Sequence, residues 1–334
     1  MSAISCQQRL FGTLKTGQAV TCYSLRNTSG MVINILDYGA RLNAVQIPDS
    51  RGHTHEMLLG SSQLEAYVSQ PFYSGMSLIQ PSDAQIILPP LHQTIWQADS
   101  TTHTDAASVQ FSFTSTTDTP QAQNTPPLTI KITYTLTTAN ELIIRSQFEP
   151  DNAAPIHITH HPYWNLSGAG QGDVLGHVLQ IWAEYYANVD EAGNPSNTFI
   201  PLKESAFDFS QPQHLGEKWM QTNPVSNYDA CFLLNSDPNT TQANTTRQRA
   251  ACVRAPESSR TLNVYTTQPV LRFYMNQLQG NYATTHTPLA ESNMPNWFCL
   301  STLNLSKPAQ STSPPETQVG IPCQAQETLY EFIW

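Results

Sequence analysis

The chain has 334 residues, of which 12% are charged: 15 Lys and Arg against 25 Asp and Glu, a net charge of −10. Basic residues are neither numerous nor clustered, which removes the phosphate-backbone footprint of a nucleic-acid binder. No apolar run approaches the ~18–20 residues that a membrane span needs. The N-terminal segment lacks the basic and apolar regions of a secretory signal, so a cytoplasmic location is expected. A chain this long can bury a large core, as one big all-β domain or two ordinary ones.

The patterning along the chain is that of strands. Residues 31–36 form the first candidate, and residues 62–68 are the best of the few short helical signals. Val109, Phe111 and Phe113 alternate with Gln110, Ser112 and Thr114. Leu128, Ile130, Ile132, Tyr134 and Leu136 alternate with Thr129, Lys131, Thr133 and Thr135 in the period of two that marks a half-buried strand. Residues 142–148, 262–265 and 270–275 are further strands. The Pro-rich segments 119–127 and 311–322 and the polar stretch 235–249 read as loops. No repeat or compositional break marks a boundary, so a single antiparallel all-β domain over residues 1–334 is expected.

Six cysteines (Cys6, Cys22, Cys231, Cys252, Cys299, Cys323) are far apart, without a C-x-x-C pair, and read as reduced thiols. Uncharged Thr, Ser, Gln and Asn replace the missing charge. They suit a sugar-binding surface, although Thr is also a strand former.

The most telling segment is His160-His161-Pro162-Tyr163-Trp164-Asn165-Leu166-Ser167-Gly168. Imidazole gives and takes protons near neutral pH, and aromatic faces hold the C–H surface of a sugar. A histidine tied to a strand backbone, and a Tyr-Trp pair buried as core, are the plain readings of the same residues. His160 is expected to face away from His161, since neighbours on a strand point to opposite sides.

With these motifs in order, the chain resembles the aldose 1-epimerase (galactose mutarotase) family along nearly its whole length. Phe11-Gly12-Thr13, Asp37-Tyr38-Gly39-Ala40, Ile47-Pro48-Asp49 and Leu64-Glu65-Ala66-Tyr67 follow the family's opening half. His161-Pro-Tyr-Trp-Asn-Leu-Ser-Gly168 matches its most specific signature. Tyr228-Asp229, Val264 to Pro269 and Phe298-Cys299-Leu300 keep the order downstream. The resemblance implies a β-supersandwich with a sugar site on its concave face.

It also implies a reaction, interconversion of the α and β anomers of a free hexose such as galactose or glucose. The anomeric hydroxyl loses a proton, the ring oxygen gains one, and the open-chain aldehyde rotates before reclosing. Each positioned acid or base is worth ~10²–10⁴-fold. By the resemblance His161 is the acid toward the ring oxygen, and His92, Asp229 and Gln268 bind sugar.

Two departures accompany these matches. Where the family carries its base glutamate, this chain has Ser301, whose hydroxyl does not accept protons near pH 7 unaided. The family's Asn-Arg pair is missing too, with Ala84-Gln85 the nearest equivalent. A water held by Ser301, or Glu291, would have to stand in for the carboxylate. A second function therefore stays open, a catalytically reduced carbohydrate-binding protein on the same fold. A phosphorylated-sugar epimerase ranks third, because Arg41 and Arg272 do not form an evident cluster.

Three imidazoles at 157, 160 and 161 do not share one strand face, and His53 with His55 lacks further ligands, so no metal is expected. No glycine-rich nucleotide loop is present and the reaction is redox-neutral, so no cofactor is expected. The expected partner is a small-molecule sugar, not nucleic acid or membrane, with a monomer or a homodimer left open.

Overall fold

The computed structural model describes the chain except residues 1–2, 50, 70–73, 82–87, 116–126, 150–155, 191–192, 197, 222–227, 236–246, 277–293, 307–317 and 320–324. The strands, in chain order, are β1 (Ser5–Thr13), β2 (Ala19–Arg26), β3 (Val32–Leu36), β4 (Arg41–Pro48), β5 (Thr54–Glu56), β6 (Met76–Pro81), β7 (Gln97–Thr102) and β8 (Ala106–Thr114). There follow β9 (Thr129–Thr137), β10 (Glu141–Glu149), β11 (Ile156–His161), β12 (Tyr163–Trp164), β13 (Val178–Ile181), β14 (Ala183–Asn188), β15 (Ile200–Pro201) and β16 (Gln213–His214). The last eight are β17 (Tyr228–Leu234), β18 (Gln248–Ala255), β19 (Arg260–Thr266), β20 (Val270–Asn276), β21 (Trp297–Leu303), β22 (Leu305–Ser306), β23 (Gln318–Val319) and β24 (Ala325–Ile333). Helix is confined to α1 (Glu65–Val68), α2 (Leu215–Gln221) and a 3₁₀ turn at Leu91–Gln93.

Three antiparallel sheets carry the architecture. The first runs β1-β2-β3-β4-β5, the second β16-β13-β18-β19-β24-β10-β9-β8-β7, and the third β12-β21-β20-β17-β14-β15. Alternation decides which side of each strand is buried. Ile130, Ile132, Tyr134 and Leu136 of β9 are fully enclosed, and they join Phe111, Ile33, Phe273 and Phe298 in one core. Burying each such side chain stabilises the fold by ~1.5–3 kcal/mol. The alternating polar residues pair across strands instead, as Ser108 with Thr135 at 2.9 Å and Thr114 with Thr129 at 3.0 Å. Many threonines of this chain are therefore strand residues linking neighbours.

Several expected elements need correction. The helix begins at Glu65 instead of residue 62, because the Ser61 hydroxyl bonds both the amide and the carbonyl of Gln63 and holds residues 61–63 in a turn. The polar stretch read as a loop to 249 ends in strand: Gln248 and Arg249 open β18, opposite Thr266 and Tyr265, and Arg249 stacks 4.0 Å over Trp182. Residues 318–319, inside another expected loop, pair with β22. Among the described cysteines Cys6, Cys22, Cys231, Cys252 and Cys299 are free thiols, and Cys323 lies outside the described residues. No described helix is long and apolar enough to cross a membrane.

Candidate active site

The site follows from the alternation in the third sheet. Leu271, Phe273 and Met275 of β20 point into the core, as do Phe298 and Leu300 of β21. Arg272 and Tyr274 therefore occupy the opposite face, together with the residues across from them in register: Cys231 and Asp229 on β17, Ser301 and Cys299 on β21. Residues directly opposite in antiparallel strands have Cβ atoms ~4.5–5.5 Å apart, so these six side chains form one patch.

His161 reaches this patch from another element. It ends β11, and Pro162 interrupts the strand before Tyr163 pairs with Cys299. The His161 carbonyl accepts from Gly75 N at 2.8 Å, while Gly75 O accepts from Leu42 N at 3.0 Å. Gly75 has φ +68°, and a Cβ there would overlap the Leu42 carbonyl. Only glycine lets these two backbones meet the histidine strand so closely.

Both nitrogens of the His161 ring meet hydroxyls. Nε2 lies 2.8 Å from Thr159 Oγ1, and Nδ1 lies 2.8 Å from Tyr274 Oη. The residue is 8% exposed, so it is enclosed but not sealed. Burial, then the Arg272 guanidinium, then His160 push its pKa down to about 3. The ring is thus neutral at pH 7. His160 faces away, as alternation requires, and its ring bonds Ser77 Oγ at 2.9 Å and Ser146 Oγ at 3.0 Å.

The rest of the signature is mostly structural. Trp164 is fully buried against Tyr330 and Phe332. Asn165 ties the following turn by donating to Asn296 O at 3.2 Å and accepting from Ser167 N at 3.0 Å. Tyr163 stacks on Trp297 at 3.8 Å and 6°, and Tyr274 stands edge-on to it at 6.0 Å. Tyr163 and Trp297 are 7% and 5% exposed, a closed aromatic wall beside the imidazole.

Asp229 and Arg272 form a bidentate ion pair, Nε to Oδ1 at 2.8 Å and Nη2 to Oδ2 at 2.6 Å, while Nη1 donates to Gly193 O at 3.0 Å. Their side chains are 20% and 18% exposed, the more open part of the patch. Arg272 is the residue whose importance the composition concealed. A single guanidinium is no cluster, and only the register shows that it sits between Asp229 and Ser301. Ser301 is fully buried, and its Oγ has no hydrogen-bond partner among the described residues.

The other two expected residues sit on other elements. His92 sits in the 3₁₀ turn, half-buried, with its pKa lowered by burial first and then by Arg41. Arg41, 2% exposed, donates to Ser74 O at 2.9 Å and lies 4.6 Å over the Tyr67 ring, so it comes close to the loop carrying His161's partner Gly75. Gln268 is 1% exposed at the β19–β20 corner, where its Nε2 donates to Thr267 Oγ1 at 3.2 Å and its Oε1 has no partner among the described residues. None of its described hydrogen bonds reaches His161, Asp229 or Arg272. Ala84, Gln85 and Glu291 fall outside the described residues. His53 and His55 each lie 3.3 Å from the Asp49 carboxylate, and no described group of three or more His, Cys, Asp or Glu is arranged to hold a metal ion.

Large antiparallel sheets presenting an imidazole–phenol–carboxylate patch define a β-sandwich protein with a candidate site on one sheet face. The chain belongs to the aldose 1-epimerase family, whose model matches residues 91–317. It is 28% identical to rat galactose mutarotase over 327 residues, covering 90% of each chain. It is 29% identical to the aldose 1-epimerase of Escherichia coli K12 over 291 residues, 79% of this chain and 81% of that one. The galactose 1-epimerase of Lactobacillus acidophilus superposes with a TM-score of 0.72 at 18% identity, covering 99% of both chains. An aldose epimerase homologue from C. elegans gives 0.69 at the same identity and coverage. These likenesses show the fold as the galactose mutarotase-like β-supersandwich.

Proposed function

We propose that this protein is an aldose 1-epimerase-type isomerase that interconverts the α and β anomers of a free hexose such as galactose or glucose. The observation that carries the reading is the His161 imidazole set on Tyr274, beside the Asp229–Arg272 pair. Relatives named for this activity over most of the chain support it over the binding-only alternative.

In this reading His161, in its imidazolium form, is the acid that protonates the ring oxygen, and Asp229 engages sugar hydroxyls. His92, Gln268 and Ser301 complete the sugar contacts, Ser301 from the same sheet face as Arg272. The acid form is scarce at neutral pH in the free enzyme, which makes a modest turnover the physical expectation. The chain acts as one domain over residues 1–334, in the cytoplasm, without cofactor, as a monomer or a homodimer.

Polarimetry of freshly dissolved α-glucose and α-galactose tests the proposal. Wild type should speed equilibration in proportion to its concentration, and His161→Ala should lose that acceleration by ~10²-fold or more. Equilibration no faster than in buffer for both sugars refutes it.

A further inference from the structure

Resting on that reading, we infer that Asp229 is the general base of this enzyme, taking the anomeric hydroxyl proton that a carboxylate at position 301 would otherwise take. Four observations carry it.

Position 301 holds a serine whose hydroxyl is fully buried and without a partner among the described residues, so no described base is assembled there. On the same sheet face Asp229 is the carboxylate among the described residues of β17, β20 and β21. The Cys231 and Cys299 thiols flanking it are pushed up to about 12 by burial and stay protonated, so neither competes as a proton acceptor. Asp229 is also open to an incoming ligand, at 20% side-chain exposure against none for Ser301.

Register then joins base to acid. Asp229 lies directly opposite Tyr274, and Tyr274 Oη lies on His161 Nδ1 at 2.8 Å. One tyrosine therefore separates carboxylate from imidazole. Asp229 is two strands from Ser301, roughly 10 Å at ordinary strand spacing. The reacting carbon is thereby moved off β21 and over Tyr274.

The O1–H bond breaks and its proton goes to an Asp229 oxygen. The O1 electrons form the aldehyde C=O as the C1–O5 bond breaks, with that electron pair going to O5. O5 takes a proton from imidazolium His161, relayed through the Tyr274 hydroxyl, which gives one proton and receives another. Rotation about C1–C2 and the reverse sequence deliver the other anomer. Arg272 keeps both Asp229 oxygens in place with Nε and Nη2. It is a positioning residue.

The test is steady-state mutarotation with Asp229→Asn and Asp229→Gly, each confirmed folded by circular dichroism. A base predicts that Asp229→Asn lowers kcat by ~10²-fold or more while KM moves by no more than about threefold. It also predicts that added formate or acetate restores at least about tenfold of the rate lost in Asp229→Gly, saturably. A residue that only grips hydroxyls gives the opposite split, KM raised with kcat kept, and no rescue by carboxylates; either result overturns the inference. If wild type is active and His161→Ala is not, these outcomes bear on Asp229 alone. If wild type is inactive, the function falls and this inference with it.

Discussion

Tyr274 Oη stands 2.8 Å from His161 Nδ1, and the same tyrosine faces Asp229 across the β17–β20 pair. Removing that hydroxyl leaves a buried imidazole nitrogen without its partner. Tyr274→Phe should cost ~1–3 kcal/mol of stability and lower kcat by ~10²-fold. Chemical denaturation and mutarotation kinetics on the same preparation check both. Unchanged kcat would show that the phenol plays no part in proton delivery.

Arg272 matters through geometry as well as charge. Lysine carries the charge but cannot make the two parallel bonds that hold Asp229. Arg272→Lys should therefore destabilise the fold by about 1–3 kcal/mol and reduce kcat/KM. A variant with wild-type kinetics would mean that the bidentate contact does not organise the carboxylate.

Gly75 is the place where backbone geometry limits the site. Gly75→Ala requires a side chain at φ +68° and against the Leu42 carbonyl, at a cost of about 2–4 kcal/mol. The strain sits one hydrogen bond from His161, so activity should fall along with the melting temperature. An alanine variant that melts like wild type contradicts the close approach.

Legibility from sequence divided along physical lines. The alternation in residues 128–136 is a local signal, and β9 follows it; the same holds for β10, β19 and β20. The C-terminal strand β24 gave no comparable signal, yet it lies inside the nine-stranded sheet between β19 and β10. Its place comes from long-range pairing. The signature around His161 was readable, whereas the Tyr274 contact and the Arg272–Asp229 pair needed strand register, which no stretch of residues carries by itself. His92 and Gln268 follow from motif order alone, and no described hydrogen bond joins either of them to His161.

Acid should weaken the fold. Burial lowers the pKa values of His160 and His177 to about 4 and that of His161 to about 3. Each folded value lies below the unfolded value of ~6.5, so the unfolded chain binds more protons in that window. The stability these neutral rings contribute is present above pH ~6.5 and is lost as pH falls toward their folded values. Glu56 opposes this, because burial raises it to about 8, but one carboxyl is set against three imidazoles. Melting temperature should decrease as pH is lowered from about 7 to about 4.5, and a rising melting temperature over that range contradicts neutral burial.

The central claim is that His161 moves a proton for a bound sugar. Saturation transfer by NMR between the α and β anomeric protons of glucose and galactose measures that exchange at equilibrium. The account predicts an exchange rate that scales with wild-type enzyme and falls by ~10²-fold or more in folded His161→Gln. It also predicts that kcat/KM rises as pH is lowered from about 8 to about 5, because the imidazolium fraction grows toward the depressed pKa of the free enzyme. Equal exchange in wild type and His161→Gln would contradict it.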